Sequence, residues 1–535
     1  MTTGLLGRLQ FENPILGKDL RTRMRGAKAF IVQGGYVGML AVMMGLYYVT
    51  WRLGHRAGAS PMTVSSDLGR GLYMLLFQTQ AALVALITPA LTAGTMTLEH
   101  EQRTYELLAC TRLAPRTIVT GKLLSGWLFV VMLLTCSLPM AALCLMFGGV
   151  SGGEIFWSYV MLCLFGLLFG SIGLFWSSLF TRTIAAVLLS YGTIMFYLIA
   201  TGVFAAEPMA LGTLGPFRLI YGSTESLDLL VATVPAWLPG LVLLPLASLF
   251  FAVWAISKAP HFTVERAPHL RGLLAVLLAA VTLLGVLSGG PLGGSHGGSL
   301  LLIPVIAGGA ALLLASAFFA TGDGPSSRPR SFVLWMLTGL DPRRIFSSQL
   351  RGGWAWLLVL AGVFCGALLL GVSLLRGTAA GGGVSLTGMG VARIFAVLAA
   401  ALLFYSALGA FGAALNSRRI GIALIVIMLV ATHLVPGIIW IGVTTWGPDE
   451  SGPAVYSLYF APYAALSLIA YPDTADALPD LIKPPAAPPL WAATAVLHLI
   501  LAAAALAFVE IVYQMQRRSA ALRSGDEEPS LQPGG

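Results

Sequence analysis

Long stretches of this chain carry no charged side chain, and their length and number constrain the fold more than any motif does. They lie between Lys28 and Arg52, Arg70 and Glu99, Lys122 and Glu154, Glu154 and Arg182, Arg182 and Glu207, and Asp228 and Lys258. A longer one, Gly272 to Gly322, has room for two crossings divided by the Gly-rich turn Ser288 to Ser299. Four more run between Arg351 and Arg376, Arg393 and Arg418, Arg419 and Asp449, and Lys483 and Glu510. Roughly 20 mainly apolar residues cross a hydrocarbon core about 30 Å thick. The expectation is an all-α polytopic membrane protein with about 12 transmembrane helices.

Composition removes the alternatives. Charged residues make up 10% of the chain, against about 25% in soluble domains. Gly and Pro, at 62 and 29 residues, follow no three-residue period, so the chain is not collagen-like. The 5 cysteines include no C-x-x-C pair, which excludes a disulfide scaffold and a cysteine zinc site. The first stretch is no secretory signal peptide, because its apolar core is too long and Glu12 and Asp19 stand upstream of it.

Orientation follows from the basic residues between spans. With the N-terminus in the cytoplasm and alternation through all the spans, 24 of the 31 Lys and Arg fall inside, and both termini are cytoplasmic. Arg52, Arg56, Arg70, Arg218, Arg376, Arg393 and Lys483 fall outside. The net charge of +9 is thus accounted for by topology and gives no reason to invoke nucleic acid.

An internal repeat organises the spans. Thr111–Trp127 aligns with Thr338–Trp354 at 8 of 17 positions: Thr111/Thr338, Leu113/Leu340, Pro115/Pro342, Arg116/Arg343, Ile118/Ile345, Leu123/Leu350, Gly126/Gly353 and Trp127/Trp354. A weaker match pairs Gly173–Phe204 with Gly409–Trp440, and Gly-Pro-Phe at 215–217 faces Ala-Pro-Tyr at 461–463. The order and topological positions agree, so the chain is expected to hold two parallel six-helix repeats, a plan used by transporters. The boundaries are 1–262 for the first unit and 263–515 for the second, with 516–535 a disordered cytoplasmic tail.

Two segments carry most of the remaining information. In Asn13–Lys28, an N-cap residue precedes Pro14 at the first helical position. Leu16, Leu20, Met24 and Ala27 then share one helical face while Lys18, Arg21, Arg25 and Lys28 share another, with Arg23 the exception. This suits a helix lying in the inner interface, basic side toward anionic headgroups; it also suits a basic retention flank. The loop between spans 2 and 3, Thr97–Lys122, is expected to form a charged helix with Glu99 and Arg103 at i,i+4 and Arg103 and Glu106 at i,i+3. Leu98, Tyr105, Leu108 and Ala109 offer apolar contacts, and Pro115 ends the pattern. Such a helix either docks a cytoplasmic partner or is a solvated connector.

In these residues the chain resembles the ABC-2-type permease family, the membrane subunits of one class of ABC transporter. Asn13-Pro14, Glu99, Glu101, Thr104, Glu106, Leu107, Leu108, Thr111, Pro115, Gly121 and Lys122 follow the family's order, and Ser178–Ala186 is similar to its short inner turn between spans 4 and 5. Arg103 stands where the family usually has Gly. The second copy of the loop keeps Pro342 and Arg343, but Arg328 and Val333 replace the acids at the positions of Glu101 and Glu106, so that copy is degenerate. The resemblance implies a pathway subunit whose loop 2–3, through Glu99, Glu101, Arg103, Glu106, Leu108, Pro115, Arg116 and Lys122, couples to a separate ABC ATPase. ATP and magnesium would be bound by that partner. The chain itself holds no G-x-x-x-x-G-K-[ST] phosphate loop, so it is expected to bind no cofactor and to catalyse nothing. A bacterial inner membrane and export of a hydrophobic or amphipathic compound are implied in the same way. Tyr456–Tyr471, apolar and aromatic but too short to span, reads as an interfacial or re-entrant helix at the outer face with Gly215–Val231 as its counterpart, and the resemblance implies that such short outer helices cap the pathway. Both a chain that works alone and a self-dimer fit.

Two rivals have their own signatures. An ion-coupled secondary transporter needs ionisable groups within the bilayer, and His433 and His498 are the mid-span histidines here. A membrane-embedded enzyme acting on lipid-linked substrates needs clustered carboxylates or histidines. Its candidates are Asp449, Glu450, Asp473, Asp476 and Asp480 in the loop Pro448–Pro488, which also suit a solvated loop.

Overall fold

A computed structural model describes residues 14–25, 27–54, 61–104, 113–203, 214–216, 226–229, 232–258, 267–287, 331, 350–376, 388–414 and 489–525. Asn13, Glu106, Leu108, Pro342 and Arg343 lie outside the described residues, as do His433, the acids of 448–488, the segment 456–471 and the side chain of Lys28. Also outside are the stretch 419–449 and the second half of 272–322, where two of the expected spans fall.

The chain divides into two compact units, Met1–Val264 and Glu265–Gly535. In the first, α1 (Pro14–Met24) leads to α2 (Ala27–Gly54), α3 (Pro61–Thr92), the short α4 (Thr97–Glu101), α5 (Pro115–Cys136), α6 (Leu138–Phe147), α7 (Gly152–Leu179) and α8 (Thr183–Val203). A hairpin of β1 (Ser226–Leu229) and β2 (Ala232–Pro235) then precedes α9 (Trp237–Lys258). The second unit shows α10 (Ala267–Leu287), α11 (Leu350–Arg376), α12 (Gly388–Ala414) and α13 (Leu490–Gly525). Among the described residues 7 helices are long and apolar enough to cross a membrane, and three shorter apolar helices accompany them. In a bilayer every backbone polar group must be satisfied within the segment, which helices do. The protein is an integral, multi-pass, helical membrane protein.

Helix α7 is the centre of the first unit, packed by α3, α5, α8 and α9. Its Gly166, Gly170 and Gly173 meet Val130, Leu123 and Thr92 respectively. Small residues let neighbouring backbones close in where no solvent drives helices together. The core of Phe77, Leu133, Phe165 and Phe169 gathers around it. By contrast α2 leaves Phe30, Ile31, Val42, Leu46 and Leu53 exposed. An apolar surface of that size is tolerated against lipid and not against water.

The third expected span is broken. Helix α5 stops at Cys136 and α6 starts at Leu138, because Pro139 has no N–H to donate and its ring crowds the preceding turn. Ser137, at the break, donates to the Leu134 carbonyl at 2.6 Å. With its one proton so placed, its oxygen accepts from Gln80 Nε2 at 2.8 Å and from the Tyr159 hydroxyl at 2.8 Å. The break is thereby paired with α3 and α7.

Two further departures concern the ends of the units. The expected short outer helix at Gly215–Val231 is not formed over Ser226–Leu229, which is instead an antiparallel strand with Leu229 opposite Ala232 and Ser226 opposite Pro235. The alternating Leu-Asp-Leu of one strand and the β-branched Thr233 and Val234 of the other favour the pleated form. Helix α13 also continues to Gly525, so residues 516–525 of the expected disordered tail are helical. Their Gln, Arg, Ala and Leu are strong helix formers, the helix closes at Gly525, and Pro529 follows only afterwards.

Candidate functional site

The segment joining α3 to α5 is fastened to its surroundings by side chains from several helices. Helix α4 brings no cap of its own: Met96, at its N-cap, makes no side-chain hydrogen bond. Ser177, at the end of α7, supplies one by accepting from the Met96 N–H at 2.9 Å and the Thr97 N–H at 3.3 Å. The other end of α4 returns the favour to α8. Glu101 Oε1 accepts from the Thr183 N–H at 2.8 Å, at the first residue of α8. A carboxylate there satisfies an N–H that the helix cannot and complements the positive end of its dipole. Between the two caps, the Thr183 hydroxyl donates to that of Thr97 at 3.0 Å.

A buried ion pair ties the segment to α5. Lys122 Nζ donates to Glu99 Oε1 at 2.6 Å and to the Thr95 carbonyl at 3.0 Å. The lysine side chain is 4% exposed and the glutamate 25%. Among the described residues this is the one ion pair, and Glu99 Oε2 finds no hydrogen-bond partner. The expected neighbour of Glu99 was Arg103, one helical turn on. That pairing is not made, because α4 ends at Glu101 and Arg103 turns into the left-handed region with φ 57°. The Arg103 N–H donates to the His100 carbonyl at 3.2 Å and the Thr104 N–H to that of Glu99 at 2.9 Å. These two bonds are the Schellman closure of a helix C-terminus, whose left-handed position is usually glycine. The charged helix expected from Thr97 onward is thus a single short helix with a closed end, and residues 105–112 lie outside the described residues.

Pro115 is the first residue of α5, buried, with Arg116 exposed beside it. Helix α1 packs along α5. Pro14 opens it, and Lys18, Arg21 and Arg25 are exposed. Ile15 is buried in a core with Met96, Ile118, Val119, Leu123 and Leu174, and Leu16 is buried too, so this side of α1 meets protein, while Met24 is exposed. Arg23, out of register with the basic face, reaches across to the Leu91 carbonyl in the last turn of α3 at 2.9 Å. Burial lowers the pKa of its guanidinium and the nearby Asp19 carboxylate opposes that shift. A cation at a helix C-terminus satisfies a carbonyl and complements the dipole.

The sequence pointed to Glu99, Glu101, Arg103, Pro115, Arg116 and Lys122, and the structure gathers Glu99 with Lys122 but sends Glu101 to α8. Ser177, Thr183, Thr95 and Arg23 were not anticipated. A broken periodicity marked Arg23; the others are short polar side chains at helix ends, which leave little trace in a sequence. Elsewhere, His498 is buried in α13, its Nδ1 donating to the Thr494 carbonyl at 2.8 Å and its ring edge-on to Phe404. Glu510 accepts from Ser331 at 3.1 Å and from Gln514 at 2.7 Å. Among the described residues no group of three or more His, Cys, Asp or Glu is placed to hold a metal ion. No protein-family model matches the chain, and no curated protein matches it either.

Proposed function

We propose that the chain is the membrane-spanning subunit of an ABC-2-type transporter. It moves a hydrophobic or amphipathic compound, in the export direction, with ATP hydrolysed on a separate ABC ATPase subunit. On this reading it has 12 spans in two parallel six-span units, with both termini cytoplasmic in a bacterial inner membrane. Loop 2–3 receives the push of the ATPase, and Pro342 and Arg343 mark a degenerate second copy of that loop.

The observation that carries this reading is how the loop is fastened. A solvated connector needs no ties to its surroundings. This one ends α3, is capped by Ser177 of α7, caps Thr183 of α8 and is ion-paired to Lys122 of α5. A force on α4 is therefore delivered to four helices at once, as a coupling element requires. The order of Asn13-Pro14, the acidic segment and Gly121-Lys122 supports the same reading.

The test is purification of the tagged chain in detergent from its native membrane, with co-purifying proteins identified and ATP hydrolysis measured. The expected result is a stoichiometric ATPase, and Glu101→Lys is expected to uncouple transport from hydrolysis while membrane insertion is kept. A chain that purifies alone, with no ATP hydrolysis, overturns the proposal.

A further inference from the structure

At the end of the first unit that bears α4 both acids are engaged within the chain, Glu101 at the exposed surface, and the guanidinium-bearing residues are exposed. Glu99 is taken up by Lys122 and Glu101 by the first N–H of α8. Arg103, Arg116 and Arg182 are exposed. The bond between Glu101 and Thr183 also fixes where two of these charges stand. Arg103 follows Glu101 by two residues and Arg182 precedes Thr183 directly, so both residues flank the same cap. Residues 105–112 bring one acid, Glu106, and one base, Arg112, and leave the charge balance unchanged.

We propose that this face docks a carboxylate-bearing surface of the ATP-hydrolysing partner, and that Arg103 and Arg182 are the residues that grip it. The proposal rests on the permease reading and names the chemistry of the contact. It reverses what the acidic look of the segment suggests: the glutamates hold the loop in place and the arginines meet the partner. Arginine suits the task, because its planar fork matches a carboxylate at two points and its charge is permanent. The backbone at Arg103 points the same way. A left-handed residue after a helix is comfortable only as glycine, so an exposed arginine there carries a local cost with no described intramolecular contact to offset it. An outlier of this kind is where a functional side chain is to be sought. Lipid headgroups already have their own basic surface in Lys18, Arg21 and Arg25 of α1.

The experiment uses the full chain in its native membrane. Arg103→Lys and Arg182→Lys keep the charge and supply an amine, which a zero-length carbodiimide joins to a carboxylate within ion-pairing distance. Peptide mass spectrometry then identifies what was joined. In parallel, recovery of the ATPase is measured at rising salt for the wild type and for the double variant Arg103→Glu/Arg182→Glu. The expected result is cross-links from positions 103 and 182 to aspartate or glutamate of the ATPase. Recovery is expected to fall about tenfold in the double variant and steadily with salt in the wild type. Equal recovery from wild type and double variant at every salt, with no such cross-link, overturns the inference and leaves the permease reading standing. Failure to recover any ATPase with the wild type overturns the permease reading and the inference with it. If the arginines serve headgroups, ATPase recovery is unchanged. Protease protection of the α4 segment then differs between wild type and double variant only in vesicles containing phosphatidylglycerol, not in pure phosphatidylcholine, and the inference is overturned in that case as well.

Discussion

Arg103 and the Lys122–Glu99 pair show how single residues set the behaviour of the loop. At φ 57° any side chain with a Cβ pays roughly 1–2 kcal/mol relative to glycine. Arg103→Gly is therefore expected to stabilise the segment by about 1 kcal/mol, whereas Arg103→Ala, which keeps the Cβ, gains nothing. Slower proteolysis of 97–112 in the glycine variant alone is the readout, and equal rates for both variants would sink the argument. The ion pair makes a second prediction, and its sign comes from the difference in burial. Lysine is the deeply buried partner, so losing Glu99 strands a charge in the interior, while losing Lys122 leaves a carboxylate that is already 25% exposed. Glu99→Leu is expected to cost about 3 kcal/mol or more, Lys122→Leu less, and the double variant less than Glu99→Leu alone. Thermal unfolding in one detergent orders the three, and simple additivity would contradict the coupling.

At the scale of elements, the approach of α3 to α7 has no slack where the loop begins. A Cβ on Gly173 would collide with Thr92 Oγ1 and come within 3.3 Å of the Ala93 backbone nitrogen. Gly173→Ala should force the two helices apart and lower stability by about 1–3 kcal/mol. Thr92→Ala removes the struck oxygen and should recover part of that loss, a rescue visible in the same unfolding assay. The positions of the described helices were legible because a buried charge is costly enough that spans are written as gaps between charges. The start of α7 carries a local signal that the gaps between charges do not use: Ser151 and Glu154 form a reciprocal capping box, and Ser-x-x-Glu is its sequence pattern. The break at Ser137 was signalled only by Pro139, and its pairing with Gln80 and Tyr159 depends on helices distant in sequence. The site was legible in its residues but not in its partners. Glu99 and Arg103 fit a helical pairing on spacing alone, and nothing local says that the helix closes at Glu101 or that a lysine in α5 lies nearer.

For the whole molecule, the distribution of basic residues makes a prediction that the helices themselves do not. Seven of the 31 Lys and Arg on one side and 24 on the other is a strong bias; the two units are oriented alike only if the first contributes an even number of spans, and both termini share a side only if the second does too. The two units meet in sequence at Val264–Glu265. Residues 259–266 should then lie on the same side as the two termini, while the segments holding Arg56, Arg218 and Lys483 lie on the other. Single cysteines introduced at 262, 380, 485 and 530 in a chain cleared of its five native cysteines test this in intact cells. A membrane-impermeant maleimide should label 380 and 485 directly, and 262 and 530 only after permeabilisation. Labelling of 262 in intact cells, with the N-terminus cytoplasmic, would mean an odd number of spans in the first unit. The two units would then be inverted rather than parallel, the repeat between Thr111–Trp127 and Thr338–Trp354 would place its copies on opposite faces, and a second coupling loop at Pro342 and Arg343 could not exist.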